Sequence, residues 1–408
     1  MDLLIRRARL ADGTVTDIAF EDGRIAALGP VAEGVEAAET VDAGGKLVVP
    51  GFVETHIHLD KSCILDRCRT DDGDLASAIA KVSEAKRGFT PEDVAARATR
   101  TLEKAILNGT THMRTHLEVD PQVGLRSFEG VKRAIRDHAW AIDVEICVFP
   151  QEGLLNNPGT DELMVAALED GATVVGGAPY TDSDPHGQID RLFELARIYD
   201  ADIDLHLDFG PDGSDLDAVY VCEKTKAAGW GVRVAIGHVT KLSNVSPERL
   251  AEVARMLADA GVALTVLPST DLFLMGRHQD HGAMRGVTPA HKMLGHGVNC
   301  SLSTNNVLNP FTPFGDCSQV RMANLYANIC HVGRFDELEE CLEMVTHRPA
   351  RLMRIPDYGI AVGLAADLVV LDAPDRVAAV TEMASPLYGF KRGRRTFTRK
   401  PPVLHRPS

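Results

Sequence analysis

Gly51-Phe52-Val53-Glu54-Thr55-His56-Ile57-His58-Leu59-Asp60 is the stretch on which the reading of this chain turns. It ends a short apolar run, and in a strand positions i and i+2 point the same way, so His56 and His58 share one face. A His-x-His pair alone says little, because 15 histidines among 408 residues give that spacing by accident roughly two times in five. Its surroundings give it weight. Downstream, apolar runs of strand length (Val144 to Phe149, Ala172 to Gly176, Ala201 to Leu207, Arg233 to Ile236, Ala263 to Leu267) alternate with amphipathic stretches. The helical stretches run from Pro91 to Asn108, Glu162 to Asp170, Ile189 to Tyr199, Leu216 to Ala228 and Pro247 to Ala260, the first with Thr90 as N-cap and Pro91 at its first position. Such alternation predicts an α/β fold with a parallel sheet, whose closed form is the (β/α)8 TIM barrel. Both imidazoles then sit at the C-terminal mouth, where barrels of this kind carry their chemistry.

Upstream of the pair the pattern differs. Leu3 to Leu10, Val15 to Phe20 and Arg24 to Leu28 are short strands bounded by Asp-Gly or Gly-Pro turns, and Lys46 to Val49 closes the set. Ala366 to Asp372 returns to that pattern near the other end. The two ends are therefore expected to pair as a small β domain, a sandwich of residues 1–49 and 355–408, outside a barrel of residues 50–354.

Composition narrows the function. Hydrophobic residues make up 45% and charged residues 25%, which is globular and excludes disorder, collagen and coiled coil. Forty-three Lys plus Arg against 58 Asp plus Glu give a net charge of -15, which repels phosphate backbones and anionic lipid, so neither nucleic acid nor membrane is an expected partner. No apolar stretch approaches the roughly 18 residues a spanning helix needs, and the N-terminal apolar run is too short for a signal peptide. Eight cysteines lie far apart without a Cys-x-x-Cys, which reads as reduced thiols in a cytoplasmic protein.

Two imidazoles on one wall begin a Zn²⁺ or Fe²⁺ site and do not complete it. His206 and His238 each end a later strand-like run and are candidates for the remainder. His116 and Glu118 share one strand face, and Lys61 is placed to meet an anionic substrate or to pair with Asp60.

The chain resembles the amidohydrolase superfamily, and within it the cytosine-deaminase-like branch. The matching residues are Pro50 to Asp60, Arg114-Thr115-His116, Phe149-Pro150-Gln151-Glu152-Gly153, His206, Gly237-His238, Pro310 to Gly315 and Gly363 to Leu371, in family order. The resemblance implies a distorted barrel with a terminal β-sandwich, often oligomeric, in which His56, His58 and His206 bind one divalent metal, Zn or Fe. It further implies that His238 contacts the water activated there and that Gln151 hydrogen-bonds a small heterocyclic substrate. A Lewis-acid metal lowers the pKa of its water toward about 7, suited to attack on an amidine or amide carbon.

Two positions depart from the family pattern. The segment that supplies a metal-binding, proton-accepting aspartate reads Ser303-Thr304-Asn305-Asn306, and the proton-shuttling glutamate three residues past His206 is Phe209. A carboxamide cannot accept a proton near neutral pH. Three readings stay open. In the first, three histidines hold the metal, His238 or Asp208 moves the proton, Asn305 and Asn306 contact substrate, and Phe311 stacks on its ring. In the second, the barrel binds a heterocycle without hydrolysing it. In the third, Asp208 and Lys61 carry metal-independent lyase or isomerase chemistry.

Overall fold

Eight parallel strands follow one another around a barrel in the order in which the chain makes them: β1 (Phe52–Ile57), β2 (Thr110–Glu118), β3 (Asp143–Phe149), β4 (Val174–Gly177), β5 (Asp202–Leu207), β6 (Val234–His238), β7 (Val262–Val266) and β8 (Cys300–Leu302). The computed structural model describes residues 1–32, 36–69 and 73–406. The ring closes just past β8, where Asn305 N–H donates to the His56 carbonyl at 2.8 Å and His58 N–H to the Asn305 carbonyl at 3.0 Å. Asn305 is thus part of the barrel's seam.

Local signals set the outer helices. Thr90 accepts from Asp93 N–H ahead of the Pro91–Leu107 helix, and Ser246 from Arg249 N–H ahead of Pro247–Ala260. Gly229 and Gly261 end their helices in the left-handed conformation that glycine adopts without a Cβ penalty. The helices Leu75–Lys86, Arg126–His138 and Gln319–Cys330 add to those expected from sequence.

Alternation along the strands divides each into two faces. On β5, Ile203, Leu205 and Leu207 join the apolar layer under the helices, each fully buried side chain of this type contributing roughly 1.5–3 kcal/mol. Asp204 and His206 take the other face, as His112, Arg114, His116 and Glu118 do on β2. Arg114 pairs with Asp204 at 2.8 Å and with the half-buried Glu145 at 2.7 Å, which compensates the buried Arg114 and Asp204 charges inside the barrel.

The chain ends meet as expected, and in one mixed eight-stranded sheet. Leu47–Pro50 runs antiparallel to Leu368–Leu371 at its centre. Pro386–Lys391 and Arg394–Thr398 extend it beyond the last strand read from sequence. Its own core packs Leu3, Ile5, Phe20 and Phe390, the two rings edge to face at 5.7 Å. Among the described residues, no helix is long and apolar enough to cross a membrane.

Candidate active site

β1, β5 and β6 end at one level, Leu207 standing beside His238 in the ladder, so their histidines meet. His56 Nε2 lies 3.0 Å from His206 Nε2, which lies 3.2 Å from His58 Nε2. All three rings are buried. Burial pushes their imidazoles well below the ordinary range, and the neighbouring imidazoles push the same way, so they stand neutral. His58 Nδ1 donates to the His116 carbonyl at 3.0 Å, which leaves its Nε2 as a bare lone pair facing the other two. Three ring nitrogens thus converge in a dry site with no carboxylate or ammonium between them. This donor set fits one divalent metal ion bound through nitrogen.

His238 stands at the edge of that cluster, close enough with His56 and His206 to complete a ligand set. Its Nδ1 donates to Asp271 Oδ1 at 2.5 Å, and its Nε2 accepts from Asn305 Nδ2 at 3.4 Å. The carboxylate therefore fixes the tautomer that keeps Nε2 a base. Burial pushes the Asp271 carboxyl up, and His238 opposes that shift. Sequence reasoning missed Asp271. Its signal was a lone acid in the apolar run Val262 to Leu274, on a short helix opened by Pro268.

The other expected residues divide. Gln151, Asn306 and Phe311 join His58, His206, His238 and Asn305 around a small cavity at the barrel mouth. Asp208 does not line it and is corrected as a proton carrier. Its oxygens accept from Asp217 N–H at 3.0 Å and Ala218 N–H at 2.9 Å, capping the helix Asp217–Ala228. The reason lies in the backbone: β5 ends at Leu207, and Asp208 has φ 49°, so the i, i+2 alternation from His206 no longer holds. His238 at φ 69° and Asn305 at φ 65° share this left-handed conformation, a cost on the order of 1 kcal/mol each concentrated at the mouth.

Lys61 turns from Asp60 to Glu118, to which it donates, and to Gln151 Oε1 at 3.1 Å. Lys86 approaches the far side of Glu118 at 3.1 Å and is held in turn by Asp120 and Glu152. Burial pushes the Glu118 carboxyl up, and the two ammonium groups more than reverse it, holding it well below the usual carboxylate range. His116 stacks on His56 with centroids 3.7 Å apart and supports that ring from the side.

The profile of the amidohydrolase family matches residues 39–144 and 145–397. The N-isopropylammelide isopropyl amidohydrolase of Pseudomonas sp. (strain ADP) is 29% identical over 411 residues, spanning 96% of each chain. The pterin deaminase of Rhizobium rhizogenes is 29% identical over 88% of this chain and 82% of its own. The crystal structure of 5-methylcytosine deaminase from Klebsiella pneumoniae superposes with a TM-score of 0.94 at 29% identity, covering 99% of both chains.

Proposed function

The chain belongs to the amidohydrolase family and is a hydrolase of non-peptide carbon–nitrogen bonds in small cyclic N-heterocycles, and on that premise we propose that His56, His58 and His206 hold its single divalent metal, zinc or iron. Bound there, such an ion supplies a Lewis acid that makes water acidic enough to lose a proton near neutral pH. The remaining steps belong to the protein. His238 Nε2 takes the proton of the attacking water, while Asp271 holds Nδ1–H and stabilises the resulting imidazolium. The same Nε2–H then returns the proton to the leaving nitrogen, so that water adds across the C–N bond and an amine or ammonia departs. Asn305 cannot take that proton and orients His238 from the other side. Gln151 holds the ring edge and Phe311 packs against its face.

The observation that carries this reading is the convergence of the His56 and His58 ring nitrogens on His206 Nε2, at 3.0 and 3.2 Å, beside a His238–Asp271 pair at 2.5 Å. The amides at 305 and 306 and the ring of Phe209 favour the second reading, a pocket that binds without hydrolysis. Metal analysis of the purified protein, joined to an ammonia- and amine-release screen over pyrimidines, triazines, pterins and creatinine-like rings, separates the two. Metal-dependent release from one ring class is the expected result. Tight binding of a ring with neither metal nor release would favour the second reading.

A further inference from the structure

We propose that Asn309, which does not line the cavity, is a positioning residue for the hydrolysis: through Asn306 and Asn305 it directs a hydrogen-bond chain that ends on His238 Nε2 and keeps that nitrogen bare. The proposal rests on reading His238 as the base. The segment from Ser303 to Pro310 turns through left-handed backbone at Asn305 (φ 65°) and Leu308 (φ 53°), and its three carboxamides come together in a buried row.

Which end of an amide carries the oxygen follows from its partners, and at Asn309 the partners leave one choice. Its Oδ1 accepts from the main-chain N–H groups of Phe311 at 3.0 Å and Thr312 at 3.1 Å, which can only donate. Its Nδ2 donates to the Lys61 carbonyl at 3.2 Å, which can only accept, and to Asn306 Oδ1 at 2.7 Å. Each following amide inherits that direction. With its oxygen engaged by Asn309, Asn306 turns Nδ2 to Asn305 Oδ1 at 3.0 Å, and Asn305 turns Nδ2 to His238 Nε2 at 3.4 Å. An N–H aimed at Nε2 needs a lone pair there. Beyond the ring, Asp271 Oδ1 accepts from Nδ1, and Asp271 Oδ2 accepts from Leu267 N–H at 3.2 Å. The chain therefore runs one way, from main-chain donors to a carboxylate, and both of its ends demand the same tautomer.

An anion at position 309 would reverse it. The carboxylate of Asn309→Asp still accepts from Phe311 and Thr312, but its second oxygen has no hydrogen for Asn306. The Asn306 amide turns over to donate to that oxygen, the Asn305 amide follows, and Asn305 Oδ1 comes to face Nε2. That nitrogen then holds a hydrogen and cannot take one from water.

The test is nitrogen-15 spectroscopy of zinc-loaded protein labelled at histidine, in which a bare ring nitrogen and a protonated one resonate far apart; the His238 signals are those lost in His238→Gln. A bare Nε2 is expected in the wild type and in Asn309→Ala, and a protonated Nε2 in Asn309→Asp. Turnover of the ring found by the release screen should follow. Asn309→Asp should lower kcat about 10²-fold with KM little changed, and Asn309→Ala only about 2- to 10-fold, the worth of one neutral hydrogen bond. If Asn309 merely held the turn at Pro310, the order would invert, because the carboxylate keeps both main-chain bonds and alanine loses them. An Asn309→Asp enzyme more active than Asn309→Ala therefore overturns the proposal, and so does a protonated Nε2 in the wild type, which needs no variant. Positioning and hydrolysis fail separately. Fast hydrolysis by a wild type with protonated Nε2 overturns the chain and leaves the hydrolase. The expected spectra in a zinc-loaded protein that hydrolyses no ring support the chain and remove the hydrolase.

Discussion

A buried group of histidines at the mouth of the barrel and a histidine–lysine–carboxylate group at its floor differ in what they lack. At the mouth, His56, His58 and His206 turn three nitrogens toward one another with no carboxylate or ammonium among them. At the floor, His112 Nε2 meets Lys391 Nζ at 3.2 Å, and Lys391 pairs with Asp367 at 2.7 Å and Asp143 at 2.8 Å. His56 and His206, together with His238, at the mouth and His112, Asp143 and Asp367 at the floor hold ligand-type atoms close enough for a metal. The floor already contains its cation, the Lys391 ammonium, and ties the barrel to the terminal sheet through residues far apart in sequence. The mouth is incomplete until a cation enters. Proximity of ligand atoms therefore does not define a metal centre; unmatched lone pairs do.

The sharpest break of this comparison is a pair of substitutions. His206→Ala should abolish metal uptake and lower turnover by at least ~10³-fold, since the ligand set falls apart. His112→Ala should leave metal content and turnover as they were and lower only the melting temperature. Metal lost from the floor variant would erase the distinction. The next effect concerns the mouth alone. Asp271→Asn should cut kcat by ~10²–10⁴-fold through the wrong His238 tautomer, with KM little changed and metal retained; steady-state kinetics beside metal analysis read both.

A smaller effect tests the floor. Burial, with Lys391 adding to it, pulls the His112 imidazole down to about 4. The unfolded chain takes up a proton near pH 6.5 that the folded chain refuses until about pH 4, so stability falls as pH drops through that window. The loss amounts to at most ~3 kcal/mol. Denaturation of the wild type and of His112→Gln from pH 7 to 4 should show a shallower fall in the variant; parallel curves would contradict the assignment. The smallest expected change is Asn305→Asp, which restores an anionic group beside His238 and should slow metal loss to a chelator roughly tenfold.

What was legible in the sequence follows from the range of each signal. Thr90-Pro91 and Ser246-Pro247 mark helix starts through contacts three residues long, and those helices lie where they were read. The His56-x-His58 pair needed only the two-residue period of a strand. Asp208 lies one residue past the end of β5, where that period no longer holds, and its carboxylate accepts from the start of the helix Asp217–Ala228 instead. Asp271 reaches His238 across 33 residues, and Lys86 reaches Glu118 across 32, so neither partnership has a local signature. The same holds for the seam at Asn305, whose partners His56 and His58 lie on the first strand of the barrel.

X-ray absorption at the zinc edge of the loaded protein tests the mouth most directly. One zinc per chain is predicted, with three or four imidazole nitrogens at about 2.0–2.1 Å, a signal absent from His206→Ala and intact in His112→Ala. A shell of oxygens, or imidazole scattering that survives the loss of His206, would contradict the proposed centre.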